Sequence, residues 1–345
     1  MTSTRTMITG TDAVADAART VPYEIYLGPD GDAVEPVIAR ATTWRHLRTL
    51  DLGPNMRVLE IGTGSGYSAA LIGHIVRPGG HVLTIDPDPV LSTRAARLFA
   101  THGHRAVAAT GSGLAGHADL APYDRIYVPA TPPAIPGAWI DQLAPGGVLV
   151  TGCTISDLPG TYAVAHITKV PTDDLHVTVH ATRCPPMGPP LLPAHVTAVT
   201  ARDYPGYYLA TTSHDTTTAT ELLALLRAGE ASAWPGTPGE YLDLKHWLLA
   251  RNPAGLFTAF TQFGEGIGIG GKAPVAYGLA VRPEGPPEAA MITPAHFVAQ
   301  PGTSPTEARF LDLISEWRSE GPRTTHELDA VVVPHGGSYQ VRLND

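Results

Sequence analysis

The stretch VLEIGTGSGYSAALIG, Val58–Gly73, constrains this chain more than any other. An apolar run, three glycines at alternate positions and a second apolar run at helical spacing read as strand, tight turn and helix. The same alternation then continues. His81–Asp86 reads as a strand, and Pro89–His102 as a helix with Leu91, Ala95 and Leu98 on one face. Arg105–Ala109, Arg125–Pro129 and Gly147–Thr151 read as further strands. Strands and helices alternating at this spacing predict parallel strands joined by crossover helices. Short continuous apolar runs suit strands covered on both faces. Tyr162–Val170 and Leu175–Thr182 alternate in polarity instead, which predicts an antiparallel pair at the sheet edge.

Upstream, residues 12–22 read as a short helix stopped by Pro22. Val37, Ile38, Ala41, Trp44, Leu47 and Leu50 recur at helical spacing over 37–51. Downstream, Cys184–Pro193 is half proline and can be neither helix nor central strand, so it marks a boundary. Beyond it, Thr216–Leu226, Gly239–Leu249 and Pro305–Ser319 read as helices, and Val275–Val281 and Gly337–Leu343 as strands. The expected fold class is α/β, a Rossmann-like, mostly parallel sheet with an added C-terminal α+β domain. The expected division is a helical segment on the substrate side (1–56), a ligand-binding domain (57–183), a Pro-rich linker (184–194) and a recognition domain for substrate or partner (195–345).

Composition excludes several classes. Only 16% of residues are charged and the net charge is −9, which argues against a nucleic-acid surface. Cys153 and Cys184 are isolated, so a structural zinc site is not expected, and two reduced thiols are favoured over a disulfide. The N-terminal residues lack an apolar signal core, and no run approaches the ~20 apolar residues of a membrane span. A soluble, cytoplasmic protein is expected; the oligomeric state is not legible.

The glycines fall at 62, 64 and 66, a GxGxG turn rather than the dinucleotide GxGxxG. Such a turn brings backbone close to a ligand. Asp86 ends the next strand at the same sheet edge and suits the two hydroxyls of a ribose. Both NAD and S-adenosylmethionine (SAM) carry that ribose. Glu60, just before the turn, would repel a pyrophosphate and tolerates the cationic sulfur of SAM, so SAM is favoured.

The segment from Val58 to Val150 resembles the protein-L-isoaspartate O-methyltransferases. VLEIGTGSGYSAALIG matches their first SAM motif, and APYDRIYVPATPPAIPGAWIDQLAPGGVLV (121–150) looks like their fourth- and fifth-strand block. VPYEIYLG (21–28) resembles their VPR-x-x-F-x-P entry. The C-terminal region resembles an actinobacterial branch that methylates an aspartate side chain in ribosomally made peptides. The resemblance implies a SAM-binding methyltransferase domain in which Glu60, Gly62, Thr63, Gly64, Ser65, Gly66 and Tyr67 form the first motif. It implies that Asp86 holds the ribose. It also places the family's Gly-Asp-Gly adenine motif on Gly111-Ser112-Gly113, so Ser112 and Gly113 are adenine-side candidates. The implied acceptor is an aspartate or isoaspartate carboxylate in a peptide or protein.

The acceptor side departs from the pattern. The family's Ser-x-Pro is absent: its serine falls on Val34 when aligned through Pro36, or on Ile38 without a gap. Thr42 and Thr43 are the nearest hydroxyls and the only catalytic candidates. A carboxylate with a reference pKa of about 4 is already ionised at pH 7 and needs no general base. Loss of the serine therefore points to a different acceptor geometry. Two other classes stay open: a small-molecule O- or N-methyltransferase, and a catalytically silent SAM-fold subunit that binds a peptide.

Remaining motifs are weaker. GIGIGGKA (266–273) begins like a phosphate loop but has Ala273 where a hydroxyl is needed, so a hairpin turn is favoured. His176 and His180 share a strand face, yet no third ligand follows, and no metal is expected. His102 and His104 bracket a helix end, where they suit the dipole. Asp124 reads as a turn residue. The aromatics of DYPGYYL (203–209) read as core.

Overall fold

The computed structural model describes residues 12–32, 34, 38–172, 174–182, 184–187, 193, 195–201, 204–211, 230–233, 236–261, 275–281, 288–293, 296–299, 302 and 304–344. The helix expected over Thr216–Leu226, the glycine run 266–273 and the motif positions Pro36 and Val37 lie outside them. The chain forms two compact units: 1–152 with 166–176, and 153–165 with 177–345.

The first sheet contains β1 (Arg57–Ile61), β2 (His81–Asp86), β3 (Val107–Thr110), β4 (Tyr123–Val128), β6 (Leu143–Thr154), β7 (Tyr162–Lys169) and β8 (Leu175–His180), with a two-residue strand β5 (Ile135–Pro136) outside it. Its order is β3-β2-β1-β4-β6-β7-β8. The β1–β2, β1–β4, β2–β3 and β4–β6 pairs are parallel. β7 and β8 are neighbours with β8 at the edge, and the Val170 N–H donates to the Asp174 carbonyl across their short connection (2.9 Å). So short a link joins only antiparallel strands. Helices α1 (Ala13–Thr20), α2 (Arg40–Thr49), α3 (Tyr67–Ile75), α4 (Pro89–His102) and α5 (Gly137–Asp141) accompany the sheet. Val58, Leu59 and Ile61 of β1 and Ala69–Gly73 of α3 are buried. A helix apolar on all sides belongs inside.

Several expected boundaries move. The third strand starts at Val107, not Arg105, because the Arg105 carbonyl lies against α3, 2.8 Å from where a Cβ on Gly73 would sit. The fourth strand starts at Tyr123, so Asp124 is a strand residue and not a turn residue. Its Oδ2 accepts the Arg57 N–H at 2.7 Å and ties β4 to the start of β1. The buried face of α4 is Ser92, Ala95 and Phe99, not Leu91, Ala95 and Leu98. The Ser92 hydroxyl is satisfied there by the Asp88 carbonyl (3.1 Å) and Thr110 Oγ1 (2.5 Å), which makes a polar residue acceptable inside. Gly103 ends α4 with φ +67°, as a C-terminal glycine should.

The placement of α2 depends on a buried cation. Arg125 of β4 donates to the Leu50, Asp51 and Asp124 carbonyls. The first two close the C-terminal end of α2, where free carbonyls and the helix dipole both favour a cation. At its other face, Arg48 donates Nε and Nη2 to Asp12 Oδ2 (2.9 and 2.5 Å), which joins α2 to the start of α1.

The second unit contains an antiparallel seven-stranded sheet of order β11-β15-β14-β13-β12-β10-β9. Its strands are β9 (Thr197–Ala201), β10 (Tyr204–Thr211), β11 (Glu230–Ala233), β12 (Leu256–Thr261), β13 (Val275–Val281), β14 (Glu288–Ile292) and β15 (His296–Ala299). Tyr204–Leu209 of the aromatic stretch is thus part of β10. Helices α6 (Pro238–Arg251) and α7 (Pro305–Ser319) and the hairpin β16 (Asp329–His335)–β17 (Ser338–Asn344) complete the unit. Thr237 and Glu240 form a capping box on α6. Trp247 and Trp317 are fully buried, and Phe297 stacks on Phe310 at 5.8 Å. Among the described residues, no helix is long and apolar enough to cross a membrane.

His246 of α6 is buried in this unit. Its Nδ1 lies 2.9 Å from Thr325 Oγ1, which in turn donates to Asp243 Oδ1 at 2.8 Å. Burial holds the imidazole well below its ordinary pKa, with the Lys245 charge acting the same way. The unfolded chain therefore binds a proton that the folded chain excludes, and stability falls as pH drops through about 6.5, by up to about 1.4 kcal/mol per pH unit. Urea unfolding between pH 7.5 and 5.0 should show that loss, and His246→Gln should remove its histidine component.

Candidate functional site

The strand order reverses between β1 and β4, and ligands of open α/β sheets bind outside the carboxyl ends of the strands at such a point. The glycine turn leaves β1 there. Gly62, Gly64 and Gly66 have φ of +104°, +51° and +87°, a run that side chains with a Cβ rarely adopt. A Cβ on Gly66 would also sit 3.0 Å from Ala95 Cβ and 3.3 Å from the Phe99 ring, so the turn rests directly on α4.

Asp86 organises this turn. It ends β2 and is 7% exposed. Its Oδ2 accepts the Gly64 N–H and its Oδ1 the Asp88 N–H, both at 3.0 Å. Each oxygen keeps a second lone pair for a ligand. The Gly111 N–H donates to the Asp86 carbonyl (2.9 Å), which brings the loop of Ser112 and Gly113 to the same edge. Ser112 Oγ accepts the Leu114 N–H at 3.4 Å, and Gly113 lies so close to β1 that a Cβ there would meet Ile61 at 2.2 Å. Trp139 of α5 donates Nε1 to the Gly113 carbonyl (2.8 Å). Gln142 takes the His117 N–H (2.7 Å) and donates to the Ala115 carbonyl (2.8 Å), which fixes this loop from behind.

Glu60 pairs in register with Thr84 and is 0% exposed. Thr84 donates to Glu60 Oε2 (2.7 Å), and Thr63 Oγ1 lies 2.8 Å from Thr84 Oγ1. The Thr63 hydroxyl is thus turned inward. Burial pushes the Glu60 carboxyl up to about 7, against the Ser68 and Thr84 hydroxyls, with the Asp86 charge adding to the rise. Glu60 Oε1 has no hydrogen-bond partner among the described residues. A buried carboxyl beside the turn, with one oxygen lacking a partner among the described residues, can take a donor or, once ionised, face a cation.

Ser65 and Tyr67 connect the turn to the N-terminal segment. The Ser65 carbonyl accepts from Arg94 Nη1 (3.2 Å), while Nη2 of the same guanidinium donates to the Leu27 carbonyl (2.5 Å). Tyr67, 4% exposed, packs against Tyr23 (5.0 Å) and Tyr26 (5.6 Å) and accepts from Trp44 Nε1 (3.1 Å). Burial raises the Tyr67 phenol above its ordinary value. Thr43 is buried beside His46 and Leu47 on the inner face of α2, and Thr42 is half-buried.

The structure thus gathers Glu60, the glycine turn, Asp86 and Ser112–Gly113 at one edge, and places Thr42 and Thr43 on α2. Sequence reasoning missed Arg94, Trp139, Gln142 and the aromatic group around Tyr67. Arg94 reads as an ordinary helix residue because its partners are carbonyls, which leave no pattern. A cavity of about 740 Å³, lined by Arg57, His81, Arg105 and Leu120 among others, lies at the opposite end of the strands.

Residues 31–183 match the family Protein-L-isoaspartate(D-aspartate) O-methyltransferase (PCMT). A protein-L-isoaspartate O-methyltransferase of Hyperthermus butylicus is 46% identical over 109 residues, 29% of this chain and 45% of that protein. One from Aeropyrum pernix is 35% identical over 159 residues, 42% of this chain and 61% of that protein. The chain spans about half the length of the curated relatives it matches. Among solved structures, a protein-L-isoaspartate O-methyltransferase aligns over 96% of this chain and 94% of its own, with 18% identity and a TM-score of 0.49. The strand order, the turn and the family match give the SAM-dependent methyltransferase fold for this sheet.

Gly66→Ala should cost about 1–3 kcal/mol in urea unfolding, because strained φ and the contact with Ala95 add together. Gly103→Ala, with φ +67° and nothing within 4 Å of its Cβ, carries the backbone strain alone and should cost less.

Proposed function

We propose that this chain is a SAM-dependent methyltransferase that O-methylates an aspartate or isoaspartate side-chain carboxylate in a peptide or protein, with ribosomally made peptides among the candidate acceptors. The observation that carries this reading is the match of residues 31–183 to the PCMT family over a glycine turn whose three positive φ values and Asp86 support are intact.

The residues fit the cofactor on three counts. Asp86 keeps lone pairs for the ribose hydroxyls beyond its two backbone bonds. The glycine turn, with Thr63, Ser65 and Tyr67, offers close-approaching backbone. Glu60 Oε1 is buried and unpartnered among the described residues, a suitable field for a cation. Ser112 and Gly113 are assigned to the adenine. When bound, SAM supplies a methyl group activated by its sulfonium.

An acceptor carboxylate would take this methyl group in place of the sulfur without any proton moving, so no residue is required as a general base. The work of the protein is then to position that carboxylate within about 3–3.5 Å of the methyl carbon and to exclude water. Thr42 and Thr43 are assigned at most an orienting role, Thr42 being the less buried. The C-terminal α+β part lies beyond the family match, and part of acceptor recognition is assigned to it.

Incubation with methyl-labelled SAM and an isoaspartyl peptide tests this reading. Label should appear in peptide and be released by mild alkali, as a methyl ester is. Alkali-stable label, or no SAM binding by calorimetry, overturns it. The Glu60 environment adds a pH signature. As pH rises through about 7 the carboxyl ionises, so affinity for cationic SAM should rise more than affinity for S-adenosylhomocysteine, whose sulfur is neutral. Glu60→Gln should flatten that difference.

A further inference from the structure

The acceptor-side segment carries a cation whose surroundings differ from those of its neighbours. Arg40, the first residue of α2, is exposed, and its guanidinium carbon lies 5.2 Å from the Tyr23 ring centroid and 5.5 Å from that of Trp44. Both rings belong to the group that meets the glycine turn: Tyr23 packs on Tyr67, and Trp44 donates to the Tyr67 hydroxyl. Two other arginines of this region are committed. Arg48 pairs with Asp12, and Arg94 donates to two carbonyls. Arg40 forms no ion pair among the described residues. The exposed Glu24 is an acidic side chain of the same region: its charge and that of Arg40 both act on Tyr67.

An exposed arginine ordinarily samples many rotamers, and ordering it on binding is costly. Two aromatic faces reduce that loss by holding the planar group while leaving its N–H edge open. A planar fork of donors matches a carboxylate. On a chain with net charge −9, an acidic ligand needs such a local cation to approach. A carboxylate about to be methylated is a poor partner for it, because a paired guanidinium would hold the lone pairs and charge that must reach the methyl carbon.

We propose that Arg40, shelved on Tyr23 and Trp44, binds a second carboxylate of the acceptor, so that the preferred acceptors are acidic peptides with a carboxylate next to the one that is methylated. This rests on the methyltransferase reading above and deepens it.

The test uses two isoaspartyl hexapeptides that differ only in glutamate or glutamine flanking the isoaspartate. Binding to the full chain is measured by calorimetry with and without S-adenosylhomocysteine, and methyl transfer is measured separately. Wild type should prefer the glutamate peptide about tenfold, the scale of one charge-assisted hydrogen-bond pair. Arg40→Ala should lose that preference, and Arg40→Lys should keep only part of it. Glu24→Gln should keep or raise it. Affinity for S-adenosylhomocysteine should stay within about twofold throughout, since Arg40 is assigned no role in the turn, and KM should change more than kcat. Equal binding of the two peptides by wild type, or a preference surviving in Arg40→Ala, overturns the proposal. Preference without methyl transfer overturns the methyltransferase reading and leaves Arg40 in place. Transfer without preference does the reverse.

Discussion

The contact between the Asp86 carboxylate and the Gly64 N–H is the constraint on which the candidate site depends. A turn with three positive φ values has no regular ladder to hold it, and its amides must find partners elsewhere. Asp86 supplies one, and its second oxygen fixes the entry to α4 through Asp88. α4 then returns under the turn through Ala95 and Phe99, where only a glycine at 66 leaves room. β2, the turn and α4 are therefore set by one carboxylate, and the loop of Ser112 is brought alongside by the Asp86 main chain.

Around this frame lie two layers of opposite character. Beneath the turn, Glu60, Thr84 and Thr63 form a buried polar chain whose carboxyl titrates near neutrality. A polar cluster in a low dielectric is costly unless satisfied, and Glu60 Oε1 is its unsatisfied part among the described residues. Outside the turn, Tyr67 joins Tyr23, Tyr26 and Trp44, and Arg94 joins Ser65 to Leu27. The N-terminal segment is thereby coupled to the turn by packing and carbonyl contacts. This is also the segment that lacks the Ser-x-Pro of the family the sequence resembles, whose serine falls on Val34 or on Ile38 according to the alignment.

Much of the fold was legible. β2, α4 and the helix over Pro305–Ser319 fall on their expected residues because apolar period, caps and glycine stops agree there. Two of the errors share a cause. Asp124 and Ser92 are polar residues that the fold uses inside elements, by giving each a hydrogen-bond partner from another strand or turn. Polarity alone reads such residues as turn or surface. The candidate site was legible at Glu60, the three glycines and Asp86, whose spacing is local to one strand–turn–helix and the next strand. Thr42 and Thr43 were chosen only as nearby hydroxyls, and burial now separates them.

The sequence by itself determined the alternation of strands and helices over 57–182 and the glycine turn between the first strand and its helix. Both follow from residue period and from the φ values that only glycine adopts readily. Only the tertiary structure decided that Glu60 is buried with a raised pKa, that Arg94 and Arg125 fasten the N-terminal segment, and that Arg40 rests on two rings. Each of these depends on contacts between residues far apart in the chain. Desolvation, carbonyl partners and aromatic faces arise from packing, and no local pattern encodes them.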